Sequence, residues 1–226
     1  MKDYSFENPS PRFLELSKIY RTVHETGLKG QIVAEKVFDG ASLLKHIPVV
    51  ARLAKQTSAK SILDYGSGKG RLYGKSQLEL PDGQVIPSVK EFWGVENVTL
   101  YDPGVEEYSH RPTGSFDGVV STDVLEHIPE EDISWVLREC FGFADRFLYM
   151  NIASYPARKQ LPNGWNAHVT IQSPKWWRQR IEQAAQGWGG IAYAFDVAEK
   201  RSKLGGSIAR RLGGSRWKIT RIESSN

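Results

Sequence analysis

Apolar residues recur at helical spacing from Phe13 through Leu16, Tyr20 and Val23, which predicts an amphipathic helix near the start of the chain. Ser10-Pro11 has the chemistry of a helix start and Gly27 that of a stop. Leu43, Leu44, Ile47, Val50 and Leu53 predict a second helix over 41–55, bent by Pro48. The period then shortens. Apolar runs at 61–65, 97–102, 116–121 and 146–153 read as strands. Ile133, Val136, Leu137, Cys140 and Phe141 share one face of a helix between the last two. Ser173-Pro174 opens a further helix to about 186, and 191–197 with 217–222 read as a closing hairpin. Residues 69–75 are expected to begin a helix, and 76–92, with Pro81-Asp82-Gly83 and Pro87, to form a surface insertion.

The chain is organised around residues 61–70, Ser-Ile-Leu-Asp-Tyr-Gly-Ser-Gly-Lys-Gly. A short apolar run ends in an acid, and glycines follow at alternate positions. This reads as a buried strand turning sharply into a helix, whose first amides can hold an anionic or polar ligand. The plain alternative is an ordinary tight turn. The order differs from the dinucleotide pattern G-x-G-x-x-G, because Asp64 precedes the first glycine. A carboxylate there repels a diphosphate and attracts an ammonium group. A nicotinamide oxidoreductase is therefore the weaker contender.

This acid and glycine pattern resembles the first motif of the class I S-adenosylmethionine (SAM)-dependent methyltransferases. A second segment strengthens the resemblance: after the strand at 116–121 the chain reads Thr122-Asp123-Val124-Leu125-Glu126-His127, similar to the methyltransferase segment ending in L-E-H. The resemblance implies a Rossmann-like, doubly wound α/β fold: a three-layer sandwich with a mostly parallel sheet and an antiparallel C-terminal edge strand. It implies one methyltransferase domain over 1–226, with N-terminal helices at 10–57 as a cap and a basic loop at 198–216. SAM would be bordered by Gly66, Ser67, Gly68 and Gly70, with Thr122 and Asp123 beside it and Asp64 facing its amino end. Asp102 would accept hydrogen bonds from its ribose, with Glu96 as competitor. Tyr20 and His24 are placed to face the pocket or simply to pack. Residues 105–115 leave little room for the usual third strand.

Asp123, Glu126 and His127 stand at i, i+3 and i+4, so a helical turn would put them on one face. With His168 from the turn-rich segment 161–168 they suit a divalent cation such as magnesium. This stretch is similar to metal-dependent small-RNA-terminal and ubiquinone-pathway O-methyltransferases, in which such residues hold a cation beside the hydroxyl to be methylated. The metal-free alternative leaves Glu126 to capping and makes His168, or else His127, the general base, with Tyr155 a weaker candidate.

Composition narrows the classes. The chain of 226 residues, 40% hydrophobic and 25% charged, reads as a globular protein without a membrane-length apolar stretch. Its one cysteine, Cys140, lies in the apolar face of a helix and reads as buried filler. Cysteine usage and the polar Lys2, Asp3 and Glu7 give a cytoplasmic expectation. The net charge of +4 permits an acidic partner without requiring one. The N- or D-P-P-Y signature of amino-methyltransferases is absent. The expected acceptor is thus a hydroxyl, or an amine, on a small metabolite or glycan. An RNA 2′-hydroxyl is the runner-up, and a non-catalytic SAM-binding protein is the rival from another class.

Overall fold

The computed structural model describes residues 3–201 and 217–224. Six strands form the main sheet: β1 (Ser61–Tyr65), β4 (Asn97–Tyr101), β5 (Phe116–Thr122), β6 (Ala144–Ala153), β7 (Ala192–Lys200) and β8 (Trp217–Glu223). Their order is β4-β1-β5-β6-β7-β8. All neighbours pair in parallel except β7 and β8, so β8 is the antiparallel C-terminal edge. The helices are α1 (Pro11–Thr26), α2 (Ile47–Thr57), α3 (Val89–Trp93), α4 (Ile133–Phe143) and α5 (Pro174–Ala185).

The side-chain alternation of the strands divides the interior into two layers. Ile62, Val120, Phe147, Tyr149 and Ala194 point to the face covered by α2 and α3, where Ile47, Val50, Val89 and Trp93 are buried. Leu63, Val119, Leu148, Met150, Ile152, Phe195 and Val197 point to the opposite face, against Val136, Leu137 and Cys140 of α4 and Trp177 and Ile181 of α5. Helices on both faces of a mostly parallel sheet make this a Rossmann-like α/β fold. Cys140 is indeed buried within the second layer. Among the described residues no helix is long and apolar enough to cross a membrane.

Three local expectations need correction. Residues 66–77 form turns rather than a helix, because Gly66, Gly68 and Gly70 all have positive φ and cannot start helical hydrogen bonding. The insertion at 76–92 is largely exposed, as read, but it is not irregular: it holds a hairpin of β2 (Leu78–Glu79) and β3 (Val85–Ile86), followed by α3. Its Leu78, Leu80, Ile86 and Val89, with Trp93 just after it, fill the α2 side of the core. Pro48 does not bend a long helix; a 3-10 turn (Ala41–Lys45) ends at His46, and Pro48 stands in the first turn of α2. The short gap at 105–115 behaves as read, with a 3-10 turn (Glu106–Tyr108) and β4 left as the sheet edge. Most of the basic run read at 198–216 lies outside the described residues.

The first helix is fastened to the sheet domain at its N-cap. Ser10 Oγ accepts from Phe13 N at 3.0 Å and donates to Asp132 Oδ2 at 2.5 Å, while Ser10 N donates to Asp132 Oδ1 at 3.0 Å. Trp135 Nε1 donates to the same Asp132 oxygen at 2.7 Å. Asp132 is fully buried, so Asp132→Ala strands three buried donors at once. We expect a loss of about 3 kcal/mol in urea unfolding, given ~1–3 kcal/mol for each buried polar group left unmade. A loss near zero would mean that this end of α1 is not held as described.

Candidate functional site

The glycine loop after β1 is the floor of the site, and its backbone is fully occupied. Gly66 N and Ser67 N donate to Tyr101 O, at 2.7 and 3.1 Å. Gly68 N donates to Asp102 Oδ2 at 2.9 Å, and Lys69 N to Phe38 O at 3.0 Å. Gly70 N bonds Ser67 O and Arg71 N bonds Asp39 O. Every amide from 66 to 71 therefore has a protein acceptor. With no helix behind it, this loop is no anion cradle. The expectation that its amides hold an anionic ligand is overturned by these six contacts.

The glycines serve close packing. A Cβ on Gly68 would lie 2.2 Å from Phe38 O, and one on Gly66 would lie 2.4 Å from Val124 Cγ2. Gly70, unlike Gly66 and Gly68, is not part of the cavity lining, and a Cβ on it would lie 2.5 Å from Leu100 Cδ1. The partner of the loop is a strap at 37–40, which Lys69 also anchors: its Nζ donates to His24 O and Ala34 O, at 2.8 and 2.5 Å. The strap places Phe38, at φ 45°, among Tyr20, His24 and His127, with ring centroids 5.3–5.7 Å apart. Such a φ on a bulky residue marks a position held by its surroundings.

Loop, strap and α1 enclose a cavity of about 730 Å³ over the C-terminal ends of the strands. Asp64, Gly66, Ser67, Gly68, Asp102, Thr122, Asp123, His127 and His168 all line it, as do Tyr20, His24 and Tyr155. Glu96 is exposed at the opposite end of β4, away from the cavity. At the β1–β4 end the acids are Asp64 and Asp102, and His24 Nε2 stands 3.9 Å from Asp102 Oδ1. Asp64 Oδ2 accepts from Tyr73 Oη at 2.8 Å, whereas Oδ1 is buried without a partner. Asp102 accepts from Gly68 N and from Gly104 N (2.8 Å), one bond on each oxygen, which leaves each a further lone pair.

The post-β5 segment does not form the shared helical face that the i, i+3, i+4 spacing predicts. Asp123 takes a left-handed φ of 54° and only Leu125–His127 makes a 3-10 turn. Asp123 is turned to Asn151: its N–H donates to Asn151 Oδ1 at 3.1 Å and its Oδ1 accepts from Asn151 Nδ2 at 2.5 Å. It is thus absent from the one group of possible metal ligands among the described residues, Glu126, His127 and His168, whose ligand atoms lie within 4.8 Å of one another. The four-ligand expectation becomes three. Those three fit a cation. Glu126 Oε1 accepts from Ala153 N at 3.1 Å, but Oε2 is buried and unpartnered. His127 Nδ1 lies 2.8 Å from Ala167 O and His168 Nδ1 lies 2.6 Å from Tyr155 O. A carbonyl only accepts, so both Nδ1 atoms carry the proton and both Nε2 lone pairs are available.

Burial governs the titration of these groups. It pushes the Glu126 carboxyl well above its ordinary value, with repulsion from Asp123 adding to it. It pushes His127 down to about 3, helped by His168, and lowers His168 as well. Both imidazoles are neutral at pH 7. His127 is consequently a poor proton acceptor, and its Nδ1 also touches Tyr20 Oη at 2.9 Å. His168 is the better placed base.

Comparison of the chain with protein-family models, with curated proteins and with solved structures finds no match. The site is therefore read from its own geometry. Sequence reasoning missed Phe38, Asn151 and Lys69 as builders of the cavity; their partners are distant in the chain, and no local pattern marks them. Asp64 offers a direct check of the electrostatics. Burial pushes its carboxyl up to about 7, against the opposing hydrogen bond from Tyr73. The folded chain then holds a proton that the unfolded chain has released above about pH 4. This group's contribution to stability accordingly falls as pH rises from about 4 through about 7. Asp64→Asn should remove that dependence: its unfolding free energy should gain on the wild type between about pH 5 and about pH 8, by ~1–3 kcal/mol. Parallel curves for the two proteins would show that Asp64 is ionised throughout.

Proposed function

We propose that the protein is a methyltransferase that passes the methyl group of SAM to a hydroxyl, or an amine, of a small metabolite or glycan. One observation carries this reading. The glycine loop offers a ligand no free amide; the Asp102 carboxylate, with a lone pair left on each oxygen, and the buried Asp64 carboxyl lie at this end of the cavity. Such a floor selects a cationic ligand over a diphosphate. The ammonium and sulfonium of SAM meet that demand, and Asp102 retains lone pairs for ribose hydroxyls. The same cavity contains Asp123, His127 and His168, so donor and acceptor ends would be continuous.

Methyl transfer is an in-line displacement in which S-adenosylhomocysteine leaves and the acceptor oxygen loses its proton. Positioning supplies much of the acceleration. Tyr20 and Phe38 wall the cavity against water, and Tyr155 O fixes the ring of His168 so that its Nε2 can take the proton. In the alternative arrangement Glu126, His127 and His168 would hold a divalent cation; His168 Nε2 would then be a ligand rather than the base, and the cation would lower the pKa of a coordinated hydroxyl. Displacing the proton held by Glu126 makes cation affinity fall at low pH.

Calorimetric titration with S-adenosylhomocysteine at about pH 8 should show binding, and Asp64→Asn should weaken it about tenfold or more, the worth of a charge-assisted hydrogen bond. Tight NAD binding with no response to S-adenosylhomocysteine would overturn the reading. Manganese titration, followed by electron paramagnetic resonance, should show one bound ion that Glu126→Gln and His168→Ala each abolish. Full manganese binding by both variants would remove these residues from any metal site.

A further inference from the structure

The cavity runs along the ridge of the sheet and is lined by charges of both signs. Asp64 and Asp102 lie at the ends of β1 and β4, whereas Lys200 and Trp217 face each other in the β7–β8 register. β1 and β7 are three strand spacings apart, about 14 Å at ~4.8 Å per spacing. Lys45, Arg158, Lys159 and Lys200 are among the cations that line the cavity. Among the described residues none of these four has a carboxylate within ion-pair distance. Lys159 is the most telling. Its ammonium is half-buried, 4.8 Å from the centre of the Phe38 ring, in the wall beside the two histidines. Burial lowers its pKa, with Asp39 and Asp123 opposing from further away. An ammonium removed from water without a counter-ion leaves an interaction unmade. Beside it, Tyr155 and Trp217 stack at 4.2 Å and 26° to form an aromatic section of the same wall.

We propose that the acceptor is a phosphorylated compound whose phosphate pairs with Lys159, beside the two histidines, and with the adjacent Arg158. A multiply charged anion answers several unpaired cations at once, and a carboxylate answers fewer. This deepens the methyltransferase reading by giving its acceptor a chemical class, and it rests on that reading for the identity of the site.

The test uses the full chain, with uridine 5′-monophosphate, ribose 5-phosphate and a single-stranded RNA pentamer as charged probes and uridine as the neutral one. Each is titrated with and without saturating S-adenosylhomocysteine, so that occupation of the donor end is not mistaken for acceptor binding. We expect at least one charged probe to bind about tenfold or more tightly than uridine with the donor end filled. Lys159→Gln should lose that advantage and Lys159→Arg should keep much of it; Arg158→Gln, at an exposed position, should weaken it without risk to folding. Binding of the monophosphates alone assigns a small acceptor, and much tighter binding of the pentamer assigns an RNA end; either supports the phosphate site. Failure of all three charged probes to exceed uridine, or an unchanged advantage in both glutamine variants, would overturn the proposal. The S-adenosylhomocysteine titration alone reports on the donor reading, so the two failures are distinguishable.

Discussion

The arrangement depends on where the amides of residues 66–71 go. A glycine-rich turn after the first strand of an α/β sheet ordinarily leaves N–H groups for a ligand. Here Tyr101, Asp102, Phe38, Ser67 and Asp39 take all of them. The loop becomes a flat, closed floor, and the strap at 37–40 can lie directly on it because Gly66 and Gly68 have no side chains. What is left at this end is the Asp102 carboxylate, with His24 and the buried Asp64 carboxyl beside it. The electrostatic preference of the site thus follows from backbone accounting rather than from any single charged residue.

The same closeness explains why several groups are buried in states that water would not favour. Asp64 and Glu126 each keep one oxygen without a partner, and burial holds both carboxyls toward their neutral forms. Lys159 is held away from water with a ring beneath it and no counter-ion among the described residues. A protein selected for stability alone would have paired or removed such groups. Asp64 and Lys159 both line one cavity, and with left-handed φ values at Phe38 and Asp123 this is the pattern expected where ligand contacts complete what folding leaves open.

The parts legible in the sequence were those set by local rules. Ser10 and Gly27 bound α1 as capping chemistry requires, and each long apolar run became a strand of the parallel sheet. The convergence of His127 and His168 also followed, since both lie in the segments that follow neighbouring strands β5 and β6. Long-range contacts decided the rest. Lys69 looked like the start of a helix, yet its amide and ammonium serve Phe38, His24 and Ala34, which lie about thirty or more residues earlier. Asp123 carried the spacing of a metal ligand, but Asn151 on the adjacent strand holds its carboxylate. The segment at 76–92 looked polar and turn-rich because it contributes only alternate residues to the core.

The central claim is that a cationic, sulfonium-bearing donor rests on the floor formed by residues 64–68 and 102, under the strap. Ultraviolet cross-linking of methyl-labelled SAM to the protein, followed by mapping of the labelled peptides, tests it most directly. The account predicts label confined to peptides that contain Tyr20, Phe38 or residues 64–68, and protection by excess S-adenosylhomocysteine. Label on peptides remote from the cavity, or labelling that S-adenosylhomocysteine does not suppress, would contradict it.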